Sequence, residues 1–506
     1  MSPAEEFLRM KNGEAAPLGR LPEWPAEDFH RRALEAIGGG LRISAYFAAT
    51  RPGEDQASLL LVLADDRRGD LYAARARMLG ESFPSLTPSA PQAHLFEREI
   101  FEQAGLRPIG HPWLKPVRFV SPGARPAGDG SAAPEIGVME RFRVGGEEVH
   151  EVAVGPVHAG VIEPGHFRFQ CHGEEVFHLE VSLGYQHRGV ERALIEGPGN
   201  RRIHYAETLA GDTSAGHAMA HCQALESLAG CAAPPRAEAI RGIALELERL
   251  ANHAGDLGAL AGDIGFLPTA SHCGRLRGEF LNMTAAICGN RFGRGLVRPG
   301  GVRFDLAESL AAGLALRLDE AMRHLSGAVG LMWNSSSVLS RFEETGRVSP
   351  QDCGEIGLVG LAARACGAAR DVRRDHPTGI FRDIPVPISV GGGGDVHARA
   401  WVRWLECQRS GELIRRLLYQ LPGGPIRSPL GSLAADALAV SLVEGWRGEI
   451  CHCALTDGKG ALARYKVTDP SFHNWTGLAM AMRNQQISDF PLCNKSFNLS
   501  YCGHDL

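Results

Sequence analysis

The stretch "PPRAEAIRGIALELERLANHAGDLGALAG" at residues 234–262 constrains the fold more than any other segment. Apolar residues recur along it at three- and four-residue spacing, the period of one helix face. A double proline opens it, at a position where missing amide donors do no harm. Two further runs, 306–332 and 397–421, carry the same period. A helix with an apolar stripe must bury that stripe, so three of them in one region predict a helical bundle. "GGGG" at 391–394 precedes the last run, with Asp395 placed to cap it. That glycine run lacks the strand–turn–helix setting of a phosphate loop and reads as a turn.

The flanks follow other periods. Residues 148–185 alternate between apolar and polar positions in "EVAVGPVHAG", "HFRFQCHG" and "VFHLEVSLGY", which predicts a small antiparallel sheet. Residues 1–120 mix helical spacing ("DFHRRALEAI", "PQAHLFEREIFEQAGL") with strand-like runs ("LRISAYFAAT", "ASLLLVLAD") and read as a small α/β domain. Residues 121–137 are Gly-, Pro-, Ala- and Ser-rich, so 121–147 is taken as a linker. Residues 440–506 return to strands ("GEICHCAL", "ALARYKV") and end in an irregular tail. The predicted fold class is α+β: an α/β domain at 1–120, the linker, and a helical-bundle body with a peripheral antiparallel sheet at 148–506.

Composition narrows the function. A net charge of -5 and a pI near 6.5 give no support to nucleic-acid binding. No apolar run approaches the ~18–20 residues that cross a bilayer, and "MSPAEEFLRMKNGEAA" lacks the pattern of a secretory signal. A cytoplasmic chain is expected. The twelve cysteines include no C-x-x-C pair, the tightest spacing being Cys451-x-Cys453. They read as small buried hydrophobes, with no metal or iron–sulfur site of the chain's own.

One segment sits oddly with that reading. In "ETLAGDTSAGHAMAHCQALE" (207–226) a small-residue turn runs into a helix bearing His217 and His221 at i and i+4, the approach to a metal site. The turn itself holds Ala210, Gly211, Asp212 and Thr213, with no thiol.

A resemblance accounts for this. "HLFEREIFEQAGLRPIGHP" (94–112) resembles the signature of the 30-kDa-type subunit of respiratory complex I. "GPVHAGVIEPGHFRF" (155–169), "LGYQHRGVE" (183–191), "PPRAEAIRGIALELERLANH" (234–253), "RDVRRDHP" (370–377), "GDVHARAWVR" (394–403) and "RGEICHCALTDG" (447–458) resemble, in order, the 49-kDa-type subunit and the large subunits of [NiFe]-hydrogenases. The fusion of the two units is most similar to the formate hydrogenlyase/hydrogenase-4 group. The resemblance implies a nickel–iron pocket held by four thiolates. At those positions stand Ala210, Thr213, Ser471 and Asn474. Soft thiolates are what such a metal pair requires, so a metal-free pocket without hydrogen chemistry is expected. Asp212 and His473 would line it as a polar pair.

The same resemblance implies a proton path from Glu163 through His166 and the helix pair His217/His221, although a framework that holds the hairpin to the helix is the favoured reading of Glu163 and His166, and plain packing that of His221. It places Arg373, Arg374, Asp375 and His376 of "DVRRDHP" against a membrane subunit, with an ordinary solvated charge cluster as the equal alternative. It implies two kinds of partner, a small subunit carrying an iron–sulfur cluster and antiporter-like membrane subunits, with the chain peripheral on the inner face of the membrane. A tail that relatives remove after metal insertion is here expected to stay and to dock. Quinone, the other substrate of the superfamily, loses a phenolic donor where Gly211 stands at the tyrosine position. Three functions stay open: electron transfer coupled to ion translocation, a redox-inert connector, and a quinone oxidoreductase with an altered site.

Overall fold

The structure is a computed structural model, and it describes residues 6–50, 57–120, 135–158 and 162–506. Residues 121–134 of the expected linker lie outside them.

Strands Arg42–Thr50, Ala57–Asp65 and Asp70–Arg77 form an antiparallel meander. Leu8–Met10 joins it antiparallel and Glu23–Pro25 parallel, both on Asp70–Arg77. The central run "ASLLLVLAD" does not alternate, and Leu59 to Leu63 are at most 1% exposed. The reason is that both faces of the sheet are covered. Helices Ala26–Gly38 and His94–Ala104 cover one face through Phe29, Ala33, Phe96 and Ile100. The other face presents Phe47, Leu60 and Val62 to Leu438, Val440, Cys451 and Cys453 of a second sheet. A continuous apolar run suits a strand buried on both sides.

That second sheet comprises Ala437–Glu444, Glu449–Thr456 and Leu462–Thr468, and its fourth strand is Ala15–Pro17 from the N-terminal region. The first 120 residues are therefore woven into the body. Arg42 bonds Glu449 at 2.5 Å, His376 bonds Asp66 at 3.0 Å and Lys466 bonds Glu99 at 2.6 Å across the join. An Ala-Ala-Pro strand carries no periodic signal, so its destination is invisible in the sequence.

The small sheet expected over 148–185 is present as Val149–Val154, His166–His172 and Glu175–Ser182. The described end of the linker lies along it, where Phe142 N donates to Glu180 Oε2 at 3.0 Å. The bundle holds the three expected helices, Pro235–Asp263, Glu308–Trp333 and Val396–Tyr419, and a fourth, Leu267–Cys288. Asp395 caps the Val396 helix by accepting from Ala398 N at 2.8 Å.

Two expectations are corrected. The tail is helical rather than irregular, with helices Pro470–Ala481, Phe490–Phe497 and Tyr501–Asp505. The first is buried on most of its surface and the other two run only eight and five residues, so none shows a clear apolar period, but Asp469 and Ser500 cap two of them, by accepting from Ser471 N and Gly503 N. Arg373 does not present charge to a membrane partner: it is buried against Asp371 at 2.6 Å and Glu246 at 3.0 Å. His376 is likewise buried, while Arg374 stays exposed.

Candidate functional site

The helix Ser214–Ala229 is enclosed almost all round, with fourteen of its sixteen residues buried, His217 and His221 among them. Its N-terminus has no side-chain cap of its own. Glu248, from the Pro235 helix, supplies one: Oε2 accepts from Ala215 N at 2.7 Å and Oε1 from Gly216 N at 3.1 Å. Burial nevertheless pushes the Glu248 carboxyl up to about 8. The second half of the site begins at Asp469, the N-cap of the Pro470 helix. Its Oδ1 accepts from Ser471 N at 2.7 Å and its Oδ2 meets His217 Nε2 at 3.0 Å. Burial would raise the Asp469 carboxyl, but the hydrogen bond from His217, with the Arg447 guanidinium, holds it below the ordinary range. Asp469 and His217 thus tie the two helix starts together.

The four positions expected to carry thiolates in metal-bearing relatives are all buried, Ala210 and Ser471 completely. Each polar side chain among them is spoken for. Thr213 Oγ1 donates to Asp212 and accepts from Trp446 Nε1 and Arg447 Nη1, at 3.1, 3.1 and 3.2 Å. Ser471 Oγ accepts from Ser500 N at 2.9 Å. Asn474 bonds both backbone groups of Val359, at 3.0 and 3.2 Å. Tested against a nickel–iron centre, this set does not fit: Ala210 offers no donor atom, and the other three are hard, neutral and already satisfied.

The C-terminal helix closes what remains. A Cβ built on Gly503 would stand 2.7 Å from the carboxylate of Asp469, so the backbone of the tail lies directly on that residue. Asn498 O accepts from Arg447 Nε at 2.5 Å. Asp505 takes the amides of Gly184 and Gln186 at 2.8 and 2.9 Å, and Leu506 O takes those of Arg188 and Gly189 at 2.8 and 3.1 Å. The expected ordered, docked tail is present.

Asp212 and His473 do not pair. Asp212 is held by Arg447 at 2.6 and 2.8 Å. Burial alone would raise the Asp212 carboxyl, and the guanidinium outweighs it to hold it below the ordinary range. His473 packs against the N-terminal domain, its ring 5.5 Å from that of Phe96, and burial lowers it to about 4. Arg447 reads in the sequence as an ordinary structural ion pair, yet it is the residue that binds turn, carboxylate and tail together. Its position directly after Trp446, whose indole also reaches Thr213, is the only sequence signal for it.

Glu163, His166 and His217 are not joined. His166 Nδ1 lies 3.3 Å from Gly155 O. Glu163 lies beside Cys502, whose thiol burial and the Glu163 charge push up to about 11. Among the described residues no hydrogen bond links either to His217, whose Nδ1 instead meets His452 Nε2 at 3.1 Å.

Two family models match the chain: the 30-kDa subunit of respiratory-chain NADH dehydrogenase over residues 51–123 and the 49-kDa subunit over 263–436. A carbon monoxide-induced hydrogenase of Rhodospirillum rubrum is 32% identical over 353 residues, 69% of this chain and 97% of the relative. The chain belongs to the complex I 49-kDa/hydrogenase large-subunit family. Formate hydrogenlyase subunit 5 of Escherichia coli (strain K12) is 29% identical over 83% of the chain and 76% of its own length. Hydrogenase-4 component G of the same organism is 27% identical over 90% and 80%. Both matches run well beyond either family model, and the relatives are by name parts of multi-subunit oxidoreductase complexes. No described helix is long and apolar enough to cross a membrane.

Proposed function

We propose that the chain is the hydrogenase-like large subunit of a membrane-bound redox complex related to hydrogenase-4 and complex I, and that it works without a nickel–iron centre. Electrons would arrive from an iron–sulfur cluster on a partner small subunit. Antiporter-like membrane subunits would couple their passage to ion translocation, with this chain peripheral on the inner face. The observation that supports this reading is the filled pocket. Thr213, Ser471 and Asn474 are each bonded within the chain, and the tail helix lies on Asp469.

The same filling supports a second reading, a redox-inert connector that transmits an event at the small subunit without accepting electrons. Co-purification from gently solubilised membranes tests both, with partners identified by mass spectrometry. A cluster-bearing small subunit together with antiporter-like proteins is the expected result. A small subunit lacking its cluster cysteines would transfer support to the connector. Recovery of the chain alone would overturn the membrane-complex assignment.

A further inference from the structure

We propose that Asp469, His217, His452, Tyr465 and His221 form a proton relay from the filled site to a cavity on the molecule's surface. The five side chains are at most 1% exposed and lie between the Ser214 helix and the sheet beneath it. Their contacts run in an unbroken line. Asp469 Oδ2 meets His217 Nε2 at 3.0 Å, His217 Nδ1 meets His452 Nε2 at 3.1 Å, His452 Nδ1 meets the Tyr465 hydroxyl at 2.9 Å, and that hydroxyl meets His221 Nδ1 at 2.8 Å. His221 then lines a cavity of about 480 Å³, bordered also by His204, Arg298, Arg303 and Arg427.

The donor sense follows from the end that cannot donate. An ionised Asp469 only accepts, so His217 carries its proton on Nε2 and accepts at Nδ1. His452 must then donate from Nε2 and accept at Nδ1. Tyr465 donates to His452, and its oxygen accepts from His221 Nδ1–H. All four bonds point toward Asp469. A proton taken from water by the free ring nitrogen of His221 releases the Nδ1 proton to Tyr465. Tyr465 passes its own proton to His452, His452 passes its Nε2 proton to His217, and His217 protonates Asp469. One proton leaves the cavity, one arrives at the carboxylate, and each intermediate group ends neutral. Burial supports the uncharged resting state: it lowers His221 to about 3, with Arg202 adding to it, lowers His452 and raises the Tyr465 phenol. A tie between helix and sheet needs one such bond, whereas here both nitrogens of two successive imidazoles lie in the same line.

The relay stands on this geometry and does not rest on the redox reading. Its test uses the full chain, perdeuterated and carrying 15N-histidine, with the exchange of ring N–H protons with water followed by NMR. The ring protons of His217 and His452 should exchange at least about a hundredfold faster than backbone amides of the Ser214 helix, which exchange only on local opening. Tyr465→Phe, which removes only the hydroxyl, should slow both at least about tenfold while the helix amides keep their protection. His221→Leu, at the cavity wall, should do the same by closing the other end. Ring protons as slow as the helix amides in the unaltered chain would overturn the relay, as would exchange unchanged by either variant. A chain that purifies without partners would leave this result untouched.

Discussion

Gly503→Ala tests whether the tail helix is a fitted part of the site. The added methyl would lie 2.7 Å from Cγ and Oδ2 of Asp469 and 2.9 Å from Oδ1. Those oxygens are pinned by Ser471 N at 2.7 Å and His217 at 3.0 Å, so the carboxylate cannot retreat without giving up its cap or its histidine. Overfilling a packed site costs about 1–3 kcal/mol. Replacing glycine by alanine returns about 0.4–1 kcal/mol by restricting the unfolded chain. The crowding wins, and the docked tail loses about 1–2 kcal/mol, a factor of about 5–30 in its opening equilibrium. Hydrogen exchange reads this directly. The amides of Gly184, Gln186, Arg188 and Gly189 bond to Asp505 and Leu506, so their exchange should accelerate by that factor. Amides in the middle of the Pro235 helix should not change. Unaltered protection at the four amides would refute the argument that the tail is seated on Asp469.

Glu406 lies at the centre of a buried network, accepting from Arg364 at 2.6 Å, His253 at 2.9 Å and Arg249 at 3.2 Å. Glu406→Gln leaves the Arg364 and Arg249 guanidiniums under-compensated and should lower stability in urea by about 3–5 kcal/mol, and a loss below about 1 would show the network relaxing around the gap. Acid should destabilise the fold before carboxylates titrate. His221 and His473 are held to about 3 and about 4 when folded, so the unfolded chain binds two more protons below its ordinary histidine pKa. The stability they contribute is complete above about pH 6.5 and falls by about 2.7 kcal/mol per pH unit between about 6 and 4, so a melting temperature flat from pH 7 to 5 would contradict both burials. In Arg447→Met only the Thr213 hydroxyl still opposes burial at Asp212, whose carboxyl should move upward from its depressed value when followed by carbon NMR.

How much of this is visible in the sequence depends on the length of the signal. The three long helices are legible because each repeats its apolar period over several turns, and the small sheet because it alternates. The strand Ala15–Pro17 and the three tail helices are not. The strand has three residues and the helices twelve, eight and five, too few turns for a pattern to stand out, and their positions are set by partners hundreds of residues away, such as Ala437–Ala439 and Gly184. At the site the same division holds. The residues at the pocket positions are readable from the motifs around them. Arg447's grip on Asp212, and the line from His217 through His452 and Tyr465, exist only once the strand Glu449–Thr456 is laid beneath the Ser214 helix. His452 and Tyr465 are thirteen residues apart on neighbouring strands, and no local pattern marks such a pair.

The frame of the site explains how its ligand positions can change while the fold holds. A metal centre would tie the two helix starts together through its four ligands, but in this chain other groups already do so. Glu248 satisfies the amides that open the Ser214 helix, Asp469 opens the Pro470 helix, and His217 joins the two. None of these bonds passes through positions 210, 213, 471 or 474 as side-chain ligands. Substitution there leaves the caps intact and exposes only the polar groups left behind, which must find partners or water once buried. Trp446, Val359 and Ser500 are those partners. Two of the three lie on segments that pack over the site from outside it. The tail supplies Ser500 and then lays Gly503 on Asp469, so Ser471, alone among the four positions, is satisfied only while the tail is docked. The docked tail and the filled pocket thus depend on each other: a chain that released this helix would leave Ser471 without its partner and Arg447 without the carbonyl of Asn498.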